Sequence, residues 1–183
     1  LGNLRAGLIV ASVIPLALIF AFGMMNLFGV SGNLMSLGAI DFGLIVDGAV
    51  IIVESVMFGI HSSKKKYKGV TKLSSNQMDI EVKESAGKMM NSAAFGQIII
   101  LIVYLPILAL TGVSGKMFHP MAQTVMFAIL GALILSLTYV PMMSALALGR
   151  KTEHKRNFSD KLMDFFQRVY KPIIEAALRT KLL

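Results

Sequence analysis

Residues 36–56 read SLGAIDFGLIVDGAVIIVESV, an apolar segment that holds three carboxylates, Asp41, Asp47 and Glu54. A charged side chain near the centre of a bilayer costs about 3 kcal/mol or more, even on lenient insertion scales. Acids in such a place face a protein interior, where they carry protons, ions or a counter-charge. The segment therefore reads as a functional membrane helix, provided the rest of the chain is built for a membrane.

Composition says that it is. The chain is 55% hydrophobic and 15% charged, with a mean hydropathy of +0.71, where a soluble chain carries about 25% charged residues. Four apolar stretches stand out, at about 6–28, 34–60, 92–110 and 121–148. Each comes near or exceeds the roughly 20 residues needed to cross a bilayer as a helix. The fold class is all-α integral membrane. There is no Cys, so no disulfide framework and no thiolate metal site. The chain begins without Met and runs straight into an apolar stretch. It is expected to be a piece of a larger protein, not a signal peptide followed by a mature domain.

The net charge of +8 would suit nucleic acid, but the charges are distributed as a topology signal. Of the 18 Lys and Arg, only Lys116 lies in the first or third connection. The middle connection, 61–91, holds Lys64, Lys65, Lys66, Lys68, Lys72, Lys83 and Lys88; Arg5 and the tail from Gly149 hold the rest. The positive-inside rule puts both termini and the middle connection in the cytoplasm, as an even number of spans requires. Without interleaved aromatics or a recognisable fold, the lysines do not read as a nucleic-acid surface. The loop 62–76 is expected to be polar and mobile, and 80–91 to lead as a helix into the third span. In the tail, Phe158, Leu162, Phe165, Phe166, Val169 and Tyr170 recur at helical spacing. They predict an amphipathic helix on the cytoplasmic membrane surface, capped by Asn157 or Ser159. Pro172 fits the first turn of a further helix. So residues 1–149 are read as the four-span segment and 150–183 as the surface helix with the start of the next.

On a continuous helix, Asp47 and Glu54 share a face within about 20° and lie roughly 10 Å apart, whereas Asp41 points about 120° away. Gly43 and Gly48 flank Asp47, and small residues there let another helix approach. Removing a carboxylate from water disfavours its charged form, which lets it take up and release a proton. The bland alternative is a permanent pairing with a basic residue that only holds helices together. No Lys or Arg occurs within the four stretches, so such a partner lies outside these residues. The Asp47 face is expected to turn into the bundle, and to lie open where its partners are missing.

At these residues the chain resembles a family. NLMSLGAIDFGLIVDGAVIIVES, residues 33–55, looks like the fourth transmembrane helix of the resistance–nodulation–division transporters, in their heavy-metal efflux branch. Gly43 and Asp47 match the family's glycine–three–aspartate motif, and Asp41 before Phe42 and Gly43 is the mark of the divalent-metal pumps. The resemblance continues through LGNLRAGLIVASVIPLAL (1–18), LPILALTGVSGKMFHPMAQ (105–123) and LTYVPMMSALALG (137–149). Ser55 stands where Asn is usual, and His119 where Arg is common.

The resemblance implies a multidrug-efflux-transporter-like bundle of twelve spans in two related halves. It implies periplasmic domains, a homotrimer in the bacterial inner membrane, and a periplasmic adaptor with an outer-membrane channel. This chain would supply spans three to six of a metal cation/proton antiporter. Asp47 would be the acid that pairs with a Lys on a later span, and Asp41 and Glu54 further acids of the proton relay. No cofactor is implied, and the fragment alone should not transport.

The 13 Met residues raise Cu(I), for which Met is a soft ligand. Yet Met24–Met25, Met89–Met90 and Met142–Met143 are doublets that point about 100° apart on a helix, and Met is a common filler of packed helices. Copper and silver pumps carry Met on the acid-bearing helix, by the same resemblance. Here Ile45, Ile51 and Ile52 stand near Asp47, which tilts the substrate toward Zn(II), Co(II), Ni(II) or Cd(II). His61, His119 and His154 show no ligand spacing, so no metal site is assigned. Pro15, Pro106 and Pro141 lie within spans and can kink them. Among rival readings, an intramembrane aspartyl protease needs two Asp facing each other from two helices, whereas all three acids here share one. Against a four-helix channel or scaffold in its own right stand the missing Met start and the lack of a second-half partner for the acids. Drug exporters and protein-export relatives carry other residues at the position of Asp41.

Overall fold

A computed structural model describes residues 3–32, 37–38, 40–67, 73–149, 168 and 170–171. Its elements are α1 (Leu4–Phe28), α2 (Phe42–Lys66), α3 (Ser75–Tyr104), a 3-10 helix (Leu105–Ala109), α4 (Gly112–Leu137) and α5 (Tyr139–Ala147). No strand occurs among the described residues. Four stretches are long and apolar enough to cross a membrane: Leu4–Phe28, Phe42–Ser63, Ser75–Ala109 and Gly112–Leu137. The amphipathic helix expected in the tail lies outside the described residues, apart from helical Arg168, Tyr170 and Lys171.

Local chemistry sets the helix ends. Asn3 caps α1 by accepting from the Arg5 N–H at 3.1 Å, and Gly29 closes it at φ +65°, a left-handed conformation that Gly adopts without strain. At α3, Ser74 and Gln77 form a reciprocal capping box. The polar stretch before Ser92 is thus already helix, and α3 runs unbroken from Ser75 to Tyr104. Beyond it, Pro106 has no N–H to continue the ladder, and the chain tightens into the 3-10 turn. Pro141 likewise offers no N–H to the Leu137 carbonyl. There the expected fourth span divides into α4 and α5 at Thr138, whose hydroxyl donates to the Ile134 carbonyl at 2.6 Å.

Two antiparallel pairs make up the bundle. In the first, Phe28 stacks on Phe127 with ring centroids 5.5 Å apart. Phe20 lies against Gly131, and Ser12 Oγ meets the Tyr139 hydroxyl at 2.9 Å. Descending α1 therefore means ascending α4 and entering α5. In the second pair, Gly48 meets Gln97 and Gly59 meets Ser85; Ser55 Oγ donates to the Ser85 carbonyl at 2.7 Å. Small residues line the crossings, with Ala17, Ala21, Ala49, Ala128 and Ala132 all fully buried. In a bilayer, close backbone approach replaces hydrophobic drive as the source of helix association.

The α2–α3 pair is pinned at one end by charge. Lys66 Nζ donates to Glu81 at 2.6 Å and to Glu84 at 2.7 Å, and the Tyr67 hydroxyl donates to Glu81 at 3.2 Å. These carboxylates hold the Lys66 ammonium well above the usual lysine range, through its hydrogen bonds to Glu81 first and Glu84 second. Glu81 is buried, and a buried carboxylate is costly unless it is paired and hydrogen-bonded in this way.

A Cβ at Gly59 would run into the Ser85 side chain, whereas one at Gly87 meets nothing within 4 Å. Gly59→Ala should therefore destabilise the protein by about 1–3 kcal/mol through overpacking. Gly87→Ala, on the same hairpin, should be neutral or slightly stabilising, by up to about 1 kcal/mol. Thermal unfolding of the purified protein in detergent compares the two. Equal melting temperatures would show that the helices do not touch at Gly59.

Candidate functional site

The site is built on α2, whose two faces differ sharply. Ile45, Gly48, Ala49, Ile52, Val53, Val56 and Ile60 are buried against neighbouring helices. Asp47, Ile51, Glu54 and Phe58, at the complementary helical positions, are exposed. Asp47 and Glu54 thus share one stripe, as their seven-residue spacing dictates. The stripe faces away from the other described helices, so the expected turn of Asp47 into the bundle is not made within this part. Neither acid makes a hydrogen bond or ion pair to a described residue. Two carboxylates in an otherwise apolar membrane helix need a polar environment to face. None of the helices described here supplies it.

Asp41 is placed differently from its expected position on a continuous helix. The helix does not run through from residue 34. It begins at Phe42, with Asp41 as its N-cap at φ −91° and ψ 111°. Asp41 Oδ1 accepts from the Gly43 N–H at 2.7 Å, satisfying one of the orphan donors of the first turn. An angle of about 120° from Asp47, which presumes a shared helix, therefore does not apply. The negative charge also sits at the positive end of the α2 dipole. Gly43, expected to admit another helix, is exposed, and its nearest foreign atom would be the Asp41 cap itself at 3.0 Å. Gly48 is buried, and the Gln97 carboxamide fills the space that a Cβ would take. Gln97 has no pattern to mark it in the sequence, being a lone amide beside a run of isoleucines.

No group of three His, Cys, Asp or Glu converges to hold a metal ion among the described residues. His119 is partly buried in α4, and His154 lies outside the described residues. Asp47 and Glu54 thus line one open stripe of α2, and a third carboxylate, Asp41, is fixed at the helix start.

The cap predicts a separation of roles at Asp41. Asp41→Ala should loosen the first turn of α2 by about 1 kcal/mol, while Asp41→Asn, which still caps, should keep it within a few tenths. Amide hydrogen exchange at the first turn of α2 measures both. Equal protection in Asp41→Ala and the native protein would show that the cap is not formed.

Known proteins match this chain over its length. The model of the AcrB/AcrD/AcrF family matches residues 1–183. The cobalt-zinc-cadmium resistance protein CzcA of Cupriavidus metallidurans is 49% identical over 97% of this chain and 16% of its own length. The nickel and cobalt resistance protein CnrA of the same organism is 47% identical over 82% of this chain and 14% of its own. A crystal structure of a heavy metal efflux pump superposes with a TM-score of 0.62 at 38% identity, covering 77% of this chain and 13% of that one. The chain thus spans about a sixth of the length of the curated relatives it matches. The resemblance of its acid-bearing helix to the heavy-metal efflux branch of the resistance–nodulation–division transporters is borne out, and the chain belongs to the AcrB/AcrD/AcrF family.

Proposed function

We propose that this chain is the four-span part of a proton-driven heavy-metal cation efflux transporter in which α2 carries the proton relay. The observation that carries the reading is the open stripe of α2, where Asp47 and Glu54 stand without partners on a helix packed on its other side. In the whole transporter that stripe meets the remaining spans. A Lys on one of them pairs with charged Asp47, and protonation of Asp47 releases it. This alternation couples proton entry to movement of the transporter's halves. Glu54 extends the path about 10 Å toward the cytoplasmic end, and Asp41 holds the other end of α2. The cargo is a divalent cation of the Zn(II), Co(II), Ni(II) or Cd(II) kind, as the names of the relatives suggest. The cation path lies in other parts of the transporter, which works as an inner-membrane trimer with a periplasmic adaptor and an outer-membrane channel.

In the full-length transporter, Asp47→Asn should abolish metal-driven proton flux in proteoliposomes while the protein still reaches the membrane. Asn keeps the size and hydrogen-bonding shape but cannot change charge. Asp41→Asn should impair transport strongly, although it keeps the cap. Glu54→Gln should be milder, because water reaches closer to that end. Undiminished flux in Asp47→Asn would rule it out as the carrier.

Orientation is tested separately. The charge asymmetry places the α2–α3 connection in the cytoplasm and the start of α4 in the periplasm. In intact cells, an impermeant thiol reagent should label Ser114→Cys and spare Ser62→Cys, both at exposed positions. The reverse pattern would invert the topology.

A further inference from the structure

Beneath Asp47, on the packed side of α2, lies a polar group that the proton-carrying stripe does not use. Gln97 of α3 is 2% exposed, in an apolar stretch inside the bundle. Its carboxamide lies flat against Gly48, the residue after Asp47. A Cβ there would come within 2.9 Å of the amide carbon and oxygen and 3.0 Å of the nitrogen. On the other side, Ser136 Oγ of α4 lies 3.3 Å from Gln97 Oε1. Ser136 has a single proton, and its closer acceptor is the Leu133 carbonyl at 2.9 Å. Gln97 Nε2 is buried with no hydrogen-bond partner. Turning the amide over would let Nε2 donate to Ser136 and leave Oε1 free instead. Ser136 can serve only one end of the amide, so the other end has no partner in either orientation. A buried amide half left unpaired costs on the order of 1–3 kcal/mol, and no side chain is needed there for packing that Met or Leu could not supply.

We infer that Gln97 is a positioning residue for the proton-carrying turn of α2. Resting on Gly48 and held by Ser136, it fixes the backbone that bears Asp47 relative to α3 and α4. Its unpaired Nε2 is free to donate a hydrogen bond to a carbonyl of that turn when α2 shifts with the charge of Asp47. Gly48 is required because any Cβ would push the amide away. This rests on the reading of Asp47 as the proton carrier. The titratable groups near this node are few. Asp47 and Glu54 lie on α2, Tyr139 opens α5, and His119 lies near the start of α4, more than four turns before Ser136. No residue of α3 from Ser92 to Val103 titrates, and Arg5 is the one charged residue of α1.

The experiment uses the full-length transporter in proteoliposomes, reading Zn(II)-driven proton flux against pH. Gln97→Met removes both polar ends at nearly constant volume. Gln97→Met/Ser136→Ala also removes the hydroxyl left behind, so that packing and stability return close to native. If Gln97 positions Asp47, both variants should lose about tenfold in maximal flux and shift the pH midpoint by roughly half a unit or more. A merely structural role predicts that the double variant recovers native flux and midpoint, and that result would overturn the inference. Asp47→Asn is measured alongside. If it is inactive while the double variant behaves as native, the Gln97 inference alone fails. If Asp47→Asn transports normally, the carrier reading falls and the role of Gln97 with it.

Discussion

Carboxylates cannot face hydrocarbon at low cost, and the arrangement of α2 follows from that. One side of the helix is given wholly to packing, from Ile45 to Ile60. The other side holds Asp47 and Glu54 with nothing from the described helices against it. A helix that merely anchored a domain would have no reason to carry two acids on its unpacked face. Their placement makes sense when a second set of spans closes over the stripe and offers a counter-charge there. Under the proposed function, the open stripe is where further spans of the transporter would meet this part.

The packed side is held by close backbone approach. Gly48 against Gln97, Gly59 against Ser85 and Gly131 against Phe20 are three places where a Cβ would collide with a neighbour. Hydrocarbon tails are as apolar as Leu, so burying large side chains earns little in a membrane, while tight backbone contact and interhelical hydrogen bonds do more. The Ser55–Ser85 and Ser12–Tyr139 bonds belong to the same scheme. Toward the α2–α3 connection, where water is available, the mode of attachment changes to the Lys66–Glu81–Glu84 cluster. A rigid α2–α3 hairpin would pass a change at Asp47 on to its neighbours instead of absorbing it.

Helix breaks divide the apolar stretches in ways that hydropathy does not report. Asp41 stops one helix from running through residues 40–41 by capping the next. Pro106 and Pro141 end regular helix by withholding an N–H. Hydropathy sums side-chain preference for lipid and is blind to where the backbone ladder is interrupted. The expected stretches 34–60, 92–110 and 121–148 therefore differ from the helices at their ends more than in their number.

Sequence by itself determined the membrane class, the four apolar stretches, the shared stripe of Asp47 and Glu54 and the family. Each depends on local composition, on helical period, or on a run of residues specific enough to match others. Tertiary structure decided what a period cannot encode. It made Asp41 a cap instead of a helix-face residue, because capping depends on where a helix starts. It left Gly43 open and put Gly48 under Gln97, because the helical period sets the two glycines about 140° apart but does not say which neighbour covers either face. It brought Gln97 of α3 and Ser136 of α4 together across 39 positions of chain, a contact made by the packing of helices and carried by no local pattern.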